Sequence, residues 1–358
     1  QSISANGGTG EFHHLEIDKA SGTVTLADHL QLNGDVTLTA GTVDAGTSTV
    51  EFQGSGNHVN AAGLVLNDVI VDAGYLTFDS DITVAGDFTI QSAYTLDGPH
   101  TISVEGNLVS LDNSVGGGAT IALTGTGDQT ISANGGTGEF HHLEIDKASG
   151  TVTLADYIQL SGDFAVTAGS IEAAGSTVEF QGSGNHIDAT GVAFDNVIID
   201  AGYVNLDADL NVLGNLTIES AYTLDGANLR IGGDLIVQDS SIGGSGQYIM
   251  VGDGGTATLS SGSERLAFDE IEPGAVWNVN GGNGTDVLVL TQFAPSQATD
   301  DGSTVVIDLG SNENLTIHYT SIESIEYGEE LDVALEAMND GIWFDEGQEF
   351  DSFQELYT

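Results

Sequence analysis

The stretch ISANGGTGEFHHLEIDKASGTVTLAD, which runs from Ile3 to Asp28, returns letter for letter from Ile131 to Asp156. A duplicated binding site would keep its ligands and let the scaffold drift. These copies instead keep turn glycines, apolar strand positions and aromatic residues together. The repeat therefore indicates structural tiles laid end to end, and tandem copies at a fixed period are typical of repeat architectures.

A shorter template lies within each long repeat. It begins with Gly and then Asp or Asn, continues with alternating apolar and polar residues, and closes with a glycine-containing turn. Alternation of this kind predicts strands with one buried face, and Gly, Asn and Asp supply the turns. The chain is therefore predicted to be all-β. The clearest examples are GDVTLTAGTVDAG from Gly34, GDFTIQSAYTLDG from Gly86, GNLVSLDNSVGG from Gly106, GDFAVTAGSIEAAG from Gly162, GNLTIESAYTLDG from Gly214 and GDLIVQDSSIGG from Gly233.

Very short strands with a template spacing of roughly 18 to 21 residues fit two architectures, a parallel β-solenoid and a string of β-sandwich domains. Sandwiches usually carry more aromatic residues and proline-containing loops. Three prolines and 7% aromatic residues favour the solenoid. We predict a right-handed parallel β-solenoid (β-helix) of tandem repeats with a β-rich cap at its C-terminal end.

Three regions follow from the repeat: a first solenoid repeat over residues 1–128, a second over 129–255, and a capping or assembly region over 256–358. The last region contains both tryptophans, Trp277 and Trp343, which fits a cap that closes the apolar ladder. Because Gln1 aligns with Gln129 in mid-repeat, we expect the chain to begin inside a longer array.

The segment GTVTLADHLQLNGDVTLTAGTVDAGTSTVEFQGSGNHV from Gly22, with its copy from Gly150, resembles the strand repeats of very large secreted bacterial surface proteins. It is similar in style to filamentous-haemagglutinin-type β-solenoid adhesins, over about residues 1–255. The resemblance implies a stalk or fibre and carries over no catalytic residue.

The charge balance excludes several partners. Against 54 acidic residues stand four basic ones, giving a formal net charge of −50. Nucleic acid and anionic membranes are bound through clustered Lys and Arg, so we expect neither as a partner, and no stretch is long and apolar enough to insert in a membrane. Salt or bound cations must screen such a surface, which favours an extracellular location on a bacterial cell surface. Cysteine is absent, and its absence does not indicate the redox compartment of the protein.

The repeated histidines are candidates for a metal site, and the turn aspartates are candidates for calcium. His13 and His14 return as His141 and His142, but no Cys or third His stands nearby at metal spacing. Alternation along a strand predicts that one histidine of each pair faces inward. A structural role is therefore favoured for the histidines, and turn capping is favoured for the aspartates. The turn aspartates are Asp35, Asp44, Asp72, Asp87 and Asp97.

The nonapeptide GGNGTDVLV at Gly281–Val289 resembles the repeat of secreted calcium-roll proteins. Through that resemblance calcium is the one cofactor the sequence suggests, with Asp286 as ligand and Gly281 and Gly284 shaping the turn. The motif occurs once, whereas a roll site takes ligands from successive turns. A plain glycine-rich turn is the alternative.

The C-terminal tail is unusually aromatic and acidic. We expect it to pack on its own cap or to dock on the edge strand of a second copy, giving a head-to-tail polymer. The aromatic residues concerned are Trp343, Phe344, Phe350, Phe353 and Tyr357.

The sequence as a whole predicts a non-enzymatic extracellular structural protein, the subunit of a surface fibre, matrix filament or adhesin stalk. One alternative is an adhesin that binds a glycan or surface ligand through residues 256–358. A second is a polysaccharide-active β-helix enzyme, for which four basic residues and no recognised catalytic motif leave little support.

Overall fold

The computed structural model describes residues 1–112, 115–239, 248–310 and 313–328. About 70% of the chain is β-strand, and the strands form a parallel β-solenoid of about 14 turns, as the sequence predicts. One 3-10 turn, η1 (Pro295–Gln297), is the only helical element in those ranges. No helix among the described residues is long and apolar enough to span a membrane.

The strands range in length from 3 to 19 residues. Those of the first long repeat are β1 (Ser2–Phe12), β2 (Leu15–Leu32), β3 (Val36–Asp44), β4 (Thr49–Gly54), β5 (Asn57–Asn60), β6 (Leu64–Leu66), β7 (Asp68–Phe78), β8 (Ile82–Val84), β9 (Phe88–Asp97), β10 (Thr101–Val104), β11 (Leu108–Ser110) and β12 (Thr120–Leu123). Those of the second are β13 (Gln129–Ser132), β14 (Thr137–Phe140), β15 (His142–Leu154), β16 (Tyr157–Leu160), β17 (Phe164–Gly182), β18 (Asn185–Asp188), β19 (Ala193–Leu206), β20 (Leu210–Val212), β21 (Leu216–Gly226), β22 (Leu229–Ile231), β23 (Leu235–Val237) and β24 (Tyr248–Thr258). The remaining strands are β25 (Arg265–Asn280), β26 (Val287–Leu290), β27 (Ala298–Asp300), β28 (Thr304–Gly310), β29 (Glu313–Thr320) and β30 (Ser324–Tyr327).

Up to β26, the strands pair in parallel with strands of the neighbouring coils. The length of a coil is the distance in sequence between paired residues. It is short where Tyr248 pairs with Leu266, and several residues longer where Leu108 pairs with Ile131. The coil length varies because corners gain or lose residues while the strand register is kept.

Stacking in register builds one continuous apolar core. Alternation places every second strand residue inside, where it lies on the inward residue of the preceding coil. The core cluster extends from Ile17 to Ile317. One ladder of successive paired, buried residues runs Val50, Val69, Phe88, Leu108, Ile131, Leu154.

The parallel stacking continues past residue 256, where the sequence repeat fades. Ala257 pairs with Val279, and Leu266 pairs with Leu288. The architecture changes only after β26, where β27 and β28 add antiparallel to β29. The parallel stacking itself continues, because β29 pairs with β25 and β30 pairs with β26. Trp277 is fully buried on β25 against Phe268, with ring centroids 5.9 Å apart. Trp343 lies outside the described residues.

Candidate functional site

The glycines of the candidate calcium loop allow close approach between coils. The loop joins β25 to β26. A Cβ added at Gly281 would lie 1.9 Å from the Ser321 carbonyl oxygen, and one at Gly284 would lie 1.5 Å from that of Gly262. No side chain fits at either position, so coil stacking alone is a sufficient reason for this glycine-rich sequence.

Asp286, the predicted ligand, is fully buried and connects three coils. Its Oδ1 accepts a hydrogen bond of 2.9 Å from the backbone N–H of Glu264, one coil before. Its own backbone N–H donates to Glu323 Oε2, one coil after, at 2.7 Å. Its Oδ2 is buried and has no hydrogen-bond partner.

Glu264 faces Asp286 from the preceding coil. Its side chain is 7% exposed, its Oε1 accepts a hydrogen bond from the Ser260 hydroxyl, and its Oε2 is buried without a partner. Burial and direct interaction with the Asp286 carboxylate outweigh the Ser260 hydrogen bond and raise the pKa of Glu264 to about 7. The two carboxyl groups thus contact each other, and Glu264 Oε2 and Asp286 Oδ2 have no other hydrogen-bond partner.

The set of donors at this loop differs from a roll of stacked nonapeptides. The coil before supplies Ser260 and Glu264, and the coil after supplies Ser321 and Glu323, so the loop does not stack on a copy of itself. Across the ranges that the structure describes, no group of three or more His, Cys, Asp or Glu residues is placed to hold a metal. Two carboxylates at most converge here.

Sequence reasoning missed Glu264 and Ser260. A signal was present, because Glu264 precedes Asp286 in sequence by one coil length. In a parallel solenoid, residues one coil apart are neighbours, so acidic pairs at coil spacing mark candidate contacts.

The paired histidines lie at corners: His13, His14 and His141 are outside the strands, and His142 is the first residue of β15. His13 and His14 are both exposed, and their rings contact each other with centroids 4.3 Å apart. The prediction that one histidine of each pair faces inward is therefore wrong, because the chain turns between β1 and β2 and the alternation of a strand does not apply. In the second copy, His141 and His142 are half-buried with the same ring spacing.

One histidine of each pair, together with the aspartate one coil later, instead caps the neighbouring coil. His14 Nδ1 accepts a hydrogen bond from the backbone N–H of Asp35 at 3.0 Å, and Asp35 Oδ1 accepts one from the backbone N–H of His58 at 2.9 Å. The second copy repeats both bonds, from Asp163 to His142 and from His186 to Asp163.

A second corner carries the same device, which we name the Asx ladder. Asp68 Oδ1 accepts a hydrogen bond from the backbone N–H of Asp87 at 3.0 Å. Asp87 Oδ1 accepts one from the backbone N–H of Asn107 at 2.7 Å, and Asn107 Oδ1 accepts one from that of Thr130 at 2.9 Å. The second long repeat contains a separate ladder of the same kind, in which Asn196, Asn215 and Asp234 accept from the backbone N–H groups of Asn215, Asp234 and Thr256. Asp or Asn in the template is thus bound across coils, and only some aspartates, such as Asp44 with Gly46, cap their own turn.

One buried cation lies in the second long repeat. Lys147 is 2% exposed, and its Nζ donates to the carbonyl oxygens of Gly125 at 2.5 Å and Gly127 at 2.8 Å and to Gln129 Oε1 at 2.5 Å. Its copy Lys19 is half-buried and donates to the carbonyl of Thr23 at 3.1 Å.

The aromatic tail predicted to mediate assembly lies outside the described residues: Trp343, Phe344, Phe350, Phe353 and Tyr357. The predicted head-to-tail contact therefore stays a prediction. Within the described part of the C-terminal region, an open groove of about 450 Å³ runs beside β25 and β29, lined by hydroxyl, amide and ring side chains such as Thr258, Asn280, His318 and Tyr319.

Comparisons with known protein families, with curated proteins and with solved structures gave no match to this chain.

Proposed function

We propose that the chain is a non-enzymatic structural segment of a bacterial surface protein, a stiff acidic rod that works as stalk or fibre. The observation that carries this proposal is the continuous apolar core of the described residues, built by parallel coils that stack from β1 to β26. About 14 coils at ~4.8 Å each give a rod of roughly 65 Å.

The use of the repeated residues supports the same proposal. At the corners, His14, His142 and the Asp or Asn of the short template accept hydrogen bonds from the backbone of the next coil. The fidelity of the repeat is thus accounted for by coil stacking, and the repeated segment contributes rod length. A formal net charge of −50 keeps such rods apart in solution and fits the proposed extracellular location.

The test is to duplicate residues 129–255 and compare electron micrographs of the two proteins. A rod should lengthen by roughly 30 Å, since a repeat adds about six coils of ~4.8 Å. Width should stay constant. A second globular body in place of a longer rod would contradict the proposal. Isolated rods would favour a stalk, and end-to-end strings would favour a fibre subunit.

A ligand-binding adhesin is the second candidate, and the groove beside β25 and β29 favours it. Hydroxyl and amide side chains in an open groove are suited to hydrogen-bond sugar hydroxyls. A glycan array on the full chain, compared with the Asn280→Ala variant, tests this. Loss of glycan binding in the variant would support the groove as the binding site. Equal array signals for the two proteins would exclude it.

A further inference from the structure

Two exposed tyrosines lie on neighbouring coils of the first long repeat. Tyr75 on β7 is 55% exposed, and Tyr94 on β9 is 66% exposed. Tyr75 pairs with Thr95, the residue after Tyr94, so the two tyrosines lie one coil apart on the same stretch of surface. We name this pair the tyrosine platform. Tyrosine rings usually bury their apolar faces, so two rings open to water on adjacent coils form a surface that a ligand can cover.

Glycines border the tyrosine platform on the coil before it and on the coil after it. On the coil before, the backbone N–H of Gly56 donates to the Tyr75 carbonyl oxygen at 2.9 Å. On the coil after, the backbone N–H of Gly116 donates to the Tyr94 carbonyl oxygen at 3.1 Å. Glycine has no side chain, so these bonded positions place nothing beside the rings, and a flat ligand can approach them.

The second long repeat keeps both tyrosines although residues around them change. Tyr75 returns as Tyr203, which is 57% exposed, and Tyr94 returns as Tyr222. The three residues after Tyr75 are Leu, Thr and Phe, whereas those after Tyr203 are Val, Asn and Leu. The first and third of these changes fall on buried core positions. An exposed ring adds little to coil stacking, so stacking does not explain why the rings are kept where core residues have changed.

A serine hydroxyl accompanies each copy of the platform. A Cβ placed on Gly74 would lie 2.9 Å from Ser55 Oγ, and one placed on Gly202 would lie 2.8 Å from Ser183 Oγ. These glycines directly precede the first tyrosine of each repeat, and both serines are exposed. An apolar ring beside a hydroxyl is suited to a sugar, because the C–H face of a pyranose packs on the ring while its hydroxyl groups form hydrogen bonds.

The charge of the rod decides between ligands that stack on aromatic rings. Asp72 on β7 and Asp97 on β9 add carboxylates to the strands of the platform, and the whole chain has a formal net charge of −50. Nucleic acids and acidic polysaccharides are therefore repelled, and a second copy of the chain is repelled for the same reason. A neutral polysaccharide offers pyranose rings without negative charge.

We propose that the tyrosine platform and its copy in the second long repeat bind a neutral polysaccharide whose chain lies along the rod axis. Adjacent coils are about 4.8 Å apart, which is close to the length of one sugar unit in an extended chain, so the two rings of a platform meet consecutive units. The two platforms lie roughly 30 Å apart, since about six coils of ~4.8 Å separate them. One long polymer spans both, and the second contact then gains from a high effective concentration. The site lies on the shaft of the rod, apart from the groove beside β25 and β29.

Native gel electrophoresis of the full chain tests the proposal, in gels cast with hydroxyethylcellulose, with galactomannan or with alginate. At least one of the two neutral polymers should retard the wild-type protein, and the anionic alginate should not. Replacing Tyr75 and Tyr94 together by Ala should raise the dissociation constant at least about tenfold, because the remaining platform lacks the gain from two linked contacts. Replacing the same two residues by Phe keeps the rings and should preserve the retardation.

Two control variants separate the platform from other surfaces. Leu213→Ala removes an exposed apolar side chain outside the platform, and Asn280→Ala changes the groove. Both should be retarded as strongly as wild type, and circular dichroism should show the same β signal for all variants, since the platform side chains are exposed. Equal retardation of wild type and the double Ala variant, loss of retardation in Asn280→Ala alone, or no retardation of wild type by either neutral polymer would overturn the proposal. Rod length in electron micrographs tests the stalk or fibre role separately and depends on none of these results.

Discussion

Replacing Lys147 by Met should destabilise the solenoid far more than the same change at Lys19. The Lys147 ammonium holds the carbonyls of Gly125 and Gly127 and the side chain of Gln129. Gln129 in turn donates through Nε2 to the carbonyl of Val104, at 3.0 Å, and to that of Gly106. One side chain thus closes a polar network that spans three coils.

The magnitude follows from the number of acceptors. Methionine fills most of the lysine volume, so the loss is mainly polar. A hydrogen bond to a charged group contributes about 1.5 to 3 kcal/mol, and the bonds here share one ammonium, so their losses do not add. We expect Lys147→Met to lower the free energy of unfolding by about 3 kcal/mol, because two carbonyl oxygens and the Gln129 side chain lose their charged donor together. Lys19→Met should cost under about 0.5 kcal/mol, as at other surface positions.

The assay must report local as well as global stability, because long repeat arrays do not always unfold in one step. Urea unfolding by circular dichroism gives the global value. Amide hydrogen exchange over β13 and β15 gives the local one. Protection should fall there in Lys147→Met and stay unchanged at the equivalent residues in Lys19→Met. Equal losses for both variants, or no local change, would refute the network argument.

Three further predictions concern the ladder, a buried acid and the tail. Asp87→Ala leaves the backbone N–H of Asn107 unbound and should cost about 1 kcal/mol, read from the urea midpoint. Burial raises the pKa of Glu139, so the stability provided by its protonated form is present below the unfolded-state value and lost as pH rises through the folded-state pKa. Glu139→Gln should therefore stabilise the protein at pH 8 relative to the exposed control Glu16→Gln, and equal midpoints would contradict this. Deleting residues 341–358 should abolish any filaments seen by electron microscopy without reducing the β signal, and filaments of the truncated protein would exclude the tail as the joint.

The repeat made the fold predictable. Alternation at Val69, Val71 and similar positions defines one buried face, and the regular spacing of the short template defines the coil, so the core ladder follows from the sequence. The hydrogen bonds at the corners were harder to predict. Asp87 was interpreted as a cap of its own turn, but it binds the backbone one coil later, and local turn statistics hold no information about that neighbour.

The environment of individual charged residues could not be predicted from local sequence. Lys147 is bound by Gly125, Gly127 and Gln129, which lie one coil earlier and become its neighbours only when the coils stack. The candidate site was only partly predicted for the same reason. Asp286 was visible through its motif, but its partner Glu264 becomes a neighbour only after the coil length at that point is known, and coil lengths vary along the rod.

The Asx ladder gives the solenoid a one-way polarity. In every rung the side-chain oxygen belongs to the earlier coil and the N–H to the later one, as in the bond from Asn107 to Asp87. A coil added in the reverse sense would set oxygen against oxygen or N–H against N–H. The two faces of a coil in the ladder therefore differ, because one presents a side-chain oxygen and the other presents a backbone N–H. Growth, splicing or engineering of this rod must proceed by whole coils facing in the same direction.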